Sequence, residues 1–344
     1  MPNTPKYQIP TGNFLPAIQL RMSGIVLLLA LATGSVQGQT VNTPIAAVFT
    51  NYHGWSNSVS INNGMVEAVI VPTVGRVQQF RFVGDTNGVL WENPRTWGRS
   101  SSGFYPNFGG DKAWPSPQSE WGWPPPKGFD GTANTVSFTN GIVTLVTPVD
   151  ATYNIRTTRI IELLPNEPVM RIRTIFEQTA ESSKTNLGVW IDCQATVASD
   201  SRCYVPVPSP SIFQNGYTTT GSAQFTAALP SEFTNANGLI SFGVNPDPVN
   251  HKLGFDGGTL ALVGPSLSLR LDVPRIPGAT YPDGNSSTEV YTAGSNHYFE
   301  LELLGPLSAL PVGEKMEYMT TYSLFRRTAA TTDAEAQKVL SWKD

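Results

Sequence analysis

The stretch GGDKAWPSPQSEWGWPPP, residues 109–126, gathers Trp114, Trp121 and Trp123 beside Asp111, Lys112, Gln118 and Glu120. Prolines at 115, 117, 124, 125 and 126 fix φ and remove backbone donors, which predicts an extended or turning loop and argues against strand or helix. An indole held this way is a low-entropy platform for the apolar face of a pyranose ring, and the charged and amide groups around it can hydrogen-bond the ring's hydroxyls. The alternative is that the three indoles form the loop's own small core, folded onto the body of the protein.

Two other segments place polar groups on one face. In YFELELL, alternation puts Phe299, Leu301 and Leu303 on one side and Glu300 and Glu302 on the other, with the two carboxylates about 6.6 Å apart along the strand. Such a pair suits general acid/base work or a clamp on sugar hydroxyls, or is a solvated outer face. In GVWIDCQA, Trp190, Asp192 and Gln194 share the face opposite Val189, Ile191 and Cys193. They read as a ligand floor, or as an edge strand whose tryptophan packs under a loop. Arg76 follows Gly75 at a strand entrance, where a guanidinium can reach a cleft. His53 is a lesser candidate, and His297, just ahead of the Glu300/Glu302 strand, is expected to be structural.

These residues need a scaffold, and the chain beyond Thr50 supplies one pattern: apolar and polar residues alternate over short runs broken by Gly, Pro or Asn. Asn140-Gly141 between Val136/Phe138 and Ile142/Val143/Leu145 predicts a hairpin with a type I′ turn. TTRIIELL and VMRIRTIFEQ, joined through Pro165-Asn166-Glu167, predict a second antiparallel pair. Only TTDAEAQKVLSW reads as helix, with Thr332 and Glu335 as its capping box. The fold expected is all-β: one large antiparallel β-sandwich over 51–344 with a short C-terminal helix, preceded by a flexible segment at 39–50.

Charged residues are 14% of the chain, and 31 Gly and 28 Pro favour turns. A net charge of −4 without a basic cluster argues against a nucleic-acid partner. Arg21, the apolar run Ile25–Ala32 and the small-residue exit Val36-Gln37-Gly38 predict a signal peptide over 1–38, with Met22 as an alternative start. The expectation is therefore a secreted or periplasmic protein without a membrane span. In that setting Cys193 and Cys203, the only cysteines, predict one local disulfide. His53, His251 and His297 are scattered and no CxxC or HxH spacing occurs, so no metal or other cofactor is expected.

GRVQQFRFVGDTNGVLWENP, the tryptophan segment and YFELELLGPLSALPVGEKMEYMTTYSL together resemble a bacterial group, domain-of-unknown-function family 4380, over roughly residues 51–327. Its members carry a Gly-Gly-x-(Lys/Arg)-x-Trp-x-x-Pro loop, matched here by GGDKAWPSP. The C-terminal segment also resembles that of aldose 1-epimerases, with Val312 inserted between the proline and glycine of the final turn. The resemblance implies the galactose mutarotase-like supersandwich, with a sugar bound across one sheet. It implies that Glu302, in the Leu-Glu pair, is the base that takes the anomeric hydroxyl's proton. The family's histidine acid has its nearest counterpart in GVWIDCQA, which holds none, and Asp192 replaces it only if its pKa is raised toward neutrality. The leading reading is an extracytoplasmic protein that binds a mono- or oligosaccharide. The alternatives are a carbohydrate-active enzyme, epimerase-like or a distant glycosidase or lyase, and a secreted structural or interaction module.

Overall fold

Alternation along the chain resolves into two antiparallel sheets whose inner faces supply the core. The computed structural model describes residues 45–101, 105–220, 225–244, 246, 249–294 and 297–343. The expected signal segment, 1–38, lies outside the described residues. One sheet runs Ala46–Tyr52, Trp55–Asn62, Val66–Val71, Arg76–Phe82, Asp111–Ser116, Asn186–Thr196, Tyr298–Leu304, Thr288–Ala293, Asn250–Phe255, Thr218–Thr219, with Ser308–Ala309 also paired to Asn186–Thr196. The other sheet has ten strands, among them Ile155–Leu163, Val169–Gln178, Arg202–Pro206 and Lys315–Arg326. Phe299, Leu301 and Leu303 from the first sheet meet Ile172, Phe176 and Tyr322 from the second in one buried cluster. Each such side chain contributes about 1.5–3 kcal/mol by leaving water. The outer faces of the same strands are left free for other work, and the site is built on one of them.

The Asn140-Gly141 hairpin forms as its turn chemistry requires, with φ of 51° and 76° at the two residues, and Thr135–Thr139 pairs with Ile142–Val146. Ile155–Leu163 pairs with Val169–Gln178 around Asn166, at φ 59°.

Four expectations need correction. The tryptophan segment is not loop throughout. Asp111–Ser116 is a strand paired with Asn186–Thr196. Its other edge meets a neighbour only at Val77↔Asp111, so Pro115 costs no ladder bond on that side. The sheet begins inside the segment expected to be flexible, because Ala46–Tyr52 already pairs with Trp55–Asn62. Cys193 and Cys203 are both free and buried. Residues 197–201 carry the chain from one sheet to the other, so the two thiols sit on strands of different sheets, and burial raises both pKa values, that of Cys203 to about 12. The C-terminal helix, Thr332–Ser341, is capped one residue earlier than expected: Thr331 Oγ1 accepts from the Ala334 N–H, while Glu335 Oε2 accepts from the N–H groups of Thr328 and Ala329.

Candidate functional site

Register across the first sheet lines up chemistry that is far apart in sequence. Cross-strand pairing sets Lys112 beside Asp192, Asp192 beside Glu302, and Glu302 beside Glu289, a charged row across four strands. The next row on the same face is Gln194, Glu300, Tyr291 and Lys252. On the other side of the charged row, Trp114 stands opposite Trp190. Three adjacent rows therefore give indoles, then ionisable groups, then amide, carboxyl, phenol and ammonium.

Above these rows is a cleft of about 430 Å³ lined by Trp114, Gln118, Trp123, Trp190, Gln194, Glu300 and Glu302 of the expected residues. Sequence reasoning missed Tyr105, Phe225, Lys252, Tyr291 and Tyr298, which line it too. Lys252 was legible only as a lysine inside the short run NHKLGF, and nothing in the sequence told which strands would lie beside it.

Lys252 is buried, with Nζ 2.8 Å from Glu302 Oε2, 3.0 Å from Glu289 Oε2 and 4.4 Å from the centroid of the Trp190 ring. Burial opposes its charge, but Glu289 and Glu302 outweigh that and hold the ammonium above its usual pKa. Burial pushes the Glu289 carboxyl up to about 7 against the pull of Lys252. It drives Glu302 well above the carboxylate range, opposed by Lys252 and reinforced by Glu289. Burial, reinforced by the charge of Asp192, pushes Glu300 up to about 8, and Gln194 Nε2 donates to its Oε1 at 2.8 Å. Asp192 is also raised by burial, with Lys112 Nζ opposing at 2.6 Å from its Oδ2. Buried polar atoms remain without a protein partner around this face, including Trp190 Nε1, Gln194 Oε1 and Asp192 Oδ1.

The tryptophans divide their roles. Trp123 is 61% exposed at the cleft, with its ring 4.9 Å from that of Tyr105. Trp114 is nearly buried, and its Nε1 donates to Asp130 Oδ2 at 2.7 Å. Trp121 supports the wall from behind: its Nε1 donates to the Pro115 carbonyl at 2.8 Å, and its ring lies 5.9 Å from Trp114 and 6.1 Å from Trp190.

Several expected contacts lie elsewhere. Asp111 points between the sheets, where it accepts from the Arg159 guanidinium and, at 2.6 Å, from the Tyr322 hydroxyl. Arg76 is buried against Asp130 and the Gly109 carbonyl, so it holds Asp130, and through it Trp114, in place. Glu120 pairs with Lys184 at 2.6 Å away from the cleft. Lys112 and Asp192 lie buried in the charged row and do not line the cleft.

No histidine among the described residues lines the cleft. His53 stacks on Trp97 at 3.7 Å, His251 Nδ1 lies 3.0 Å from the Ala228 carbonyl, and His297 is exposed. Among the described residues, no group of three or more His, Cys, Asp or Glu side chains is arranged to hold a metal ion. No helix of the described chain is long and apolar enough to cross a membrane.

No family model matches the sequence, and no curated protein does. Solved structures do match. An assigned aldose 1-epimerase from Escherichia coli K12 superposes with TM-score 0.52 at 13% identity, over 78% of this chain and 98% of that one. A galactose mutarotase-related enzyme from Lactobacillus acidophilus gives TM-score 0.52 at 10% identity, over 80% and 98%. The chain has the galactose mutarotase-like fold. An assigned mutarotase from Salmonella typhimurium agrees, with TM-score 0.52 at 10% identity over 82% and 97%. At these identities the likeness establishes architecture, and the site has to be argued from its own residues.

Proposed function

We propose that this protein is an extracytoplasmic carbohydrate-binding protein whose ligand lies in the tryptophan cleft. One observation carries the reading: Trp114, Trp123 and Trp190 converge with Glu300, Glu302 and Gln194 on one concavity of about 430 Å³. That volume falls in the range of small-molecule sites, roughly 300–1,000 Å³. Indoles offer area to the C–H face of a pyranose, while carboxyls, an amide and the free Trp190 N–H offer hydrogen bonds to its hydroxyls. Kinship with domain-of-unknown-function family 4380, suggested by GGDKAWPSP, belongs to the same proposal, as does export through the segment 1–38. The test is a thermal-shift screen against mono- and oligosaccharides. A ligand at 100 times its Kd adds roughly 2.7 kcal/mol of stability, and a flat response across the panel would refute the reading.

A second reading, proton transfer at the anomeric carbon, is favoured by the carboxyls themselves. Glu300, pushed up to about 8, retains a proton at neutral pH and can act as an acid, and Glu302 occupies the position that the epimerase resemblance gives to the base. Glu302 must then be ionised in the working state, which the ammonium of Lys252 at 2.8 Å favours. Glu300 would take the part that no histidine fills. Polarimetry of mutarotation decides this reading: acceleration by the wild type and none by Glu302→Gln supports it, and no acceleration by the wild type removes it.

A further inference from the structure

The charge balance of the cleft extends the saccharide reading, on which this inference rests, to the class of sugar. Lys112 is taken up by Asp192, and Lys252 by Glu289 and Glu302. Arg76 is taken up by Asp130, which also accepts from Trp114 Nε1. Lys252 is the one cation among the described cleft-lining residues. Against two lysines stand four carboxyls, those of Asp192, Glu289, Glu300 and Glu302, in adjacent rows. A ligand carboxylate entering here meets four carboxyls and, among the described residues, no cation that lacks a carboxyl partner, which argues against uronic acids.

Among the described residues, Glu300 is the member of this set without an ion-pair partner. Its Oε1 accepts from an uncharged amide, Gln194. Tyr291 stands beside it on the neighbouring strand and Tyr298 two residues before it on the same face, with the Trp91 ring 4.5 Å from that of Tyr298. A carboxyl bordered by aromatic rings and lacking a cation of its own is a receptor for an ammonium group, which gains a charge-assisted hydrogen bond and the attraction of the ring faces.

We infer that the cleft takes an amino sugar, a hexose carrying a free amine, with the ammonium against Glu300 and the ring against the tryptophans. Pairing draws the proton off Glu300, which burial otherwise holds up to about pH 8. N-acetylation removes the charge and with it the contact.

Isothermal titration at pH 7 tests this with D-glucosamine and D-galactosamine, the matching neutral hexoses, their N-acetyl derivatives and the hexuronates. The hexosamines are expected to bind at least about tenfold tighter than the matching hexoses, the effect of one hydrogen bond to a charged group. The N-acetyl sugars should lose that advantage, and the hexuronates should bind weakest. Glu300→Gln should bring the hexosamine-to-hexose ratio close to one, and a ratio kept in that variant would overturn the placement of the amine. The wild-type ratios decide the sugar class whether or not the variant folds. Hexoses binding as well as hexosamines, or hexuronates binding tighter, would overturn the inference while leaving the saccharide reading in place. Binding of no sugar at all would overturn both.

Discussion

Replacing Lys252 by methionine removes the one ammonium that serves two buried carboxyls, at 2.8 Å from Glu302 and 3.0 Å from Glu289, and keeps an apolar stem over the Trp190 ring. The cost depends on pH, and its sign follows from the pKa shifts. Glu289 rises from 4.5 unfolded to about 7 folded, so the stability it contributes is present below about pH 4.5 and is lost as pH climbs to about 7. That interval corresponds to about 3 kcal/mol, and Lys252 already restrains it. Without the lysine both carboxyls climb further, so the loss continues to higher pH. At pH 5 the carboxyls hold protons in either protein and the lysine has little to neutralise. Removing one member of a buried ion pair typically costs about 3–5 kcal/mol, which is the destabilisation expected at pH 8. About 1–2 kcal/mol is expected at pH 5, mainly from repacking. Urea unfolding of wild type and Lys252→Met at the two pH values measures both. Equal losses at pH 5 and pH 8, or a loss under about 1 kcal/mol at pH 8, would refute the reasoning.

Asp111→Ala should destabilise the fold by about 3–5 kcal/mol in urea unfolding, because it leaves Arg159 buried and unpaired between the sheets. Trp123→Ala, at a side chain 61% exposed, should change stability by less than about 1 kcal/mol and weaken saccharide binding roughly tenfold in titration. Dithiothreitol should leave the melting temperature unchanged, since Cys193 and Cys203 are free, and both thiols should resist alkylation until the protein unfolds. Glu120→Ala should leave both stability and sugar binding close to wild type, because its pair with Lys184 is partly exposed and away from the cleft.

Period-two alternation made much of the sandwich readable, because a strand with one face in the core writes that face into its sequence. The faces of Tyr298–Leu304 and of Asn186–Thr196 came out as read, with Phe299, Leu301, Ile191 and Cys193 in the core and Glu300, Glu302, Trp190 and Gln194 toward the cleft. What alternation leaves out is adjacency. Lys252 and Glu289 acquire meaning only when their strands come to lie near Glu302, and that is settled by packing across the whole sheet. Asp111 shows the same limit in reverse: its segment was recognised, but one residue of phase along the strand turns it toward Arg159 and Tyr322 and turns Lys112 toward Asp192. Proline density misled at Asp111–Ser116 because a sheet with one sparsely paired edge tolerates a missing donor. Short separation misled for the cysteines because a five-residue crossing is enough to place them in different sheets.

The central claim is that the tryptophans and the paired glutamates form one ligand site. A crystal structure with a saccharide bound from the thermal-shift screen tests it most directly. The account predicts the sugar ring in the cleft, against Trp123 or Trp190, with a hydroxyl or amine within hydrogen-bonding distance of Glu300. A sugar found elsewhere on the surface, with this cleft holding only water, would contradict it.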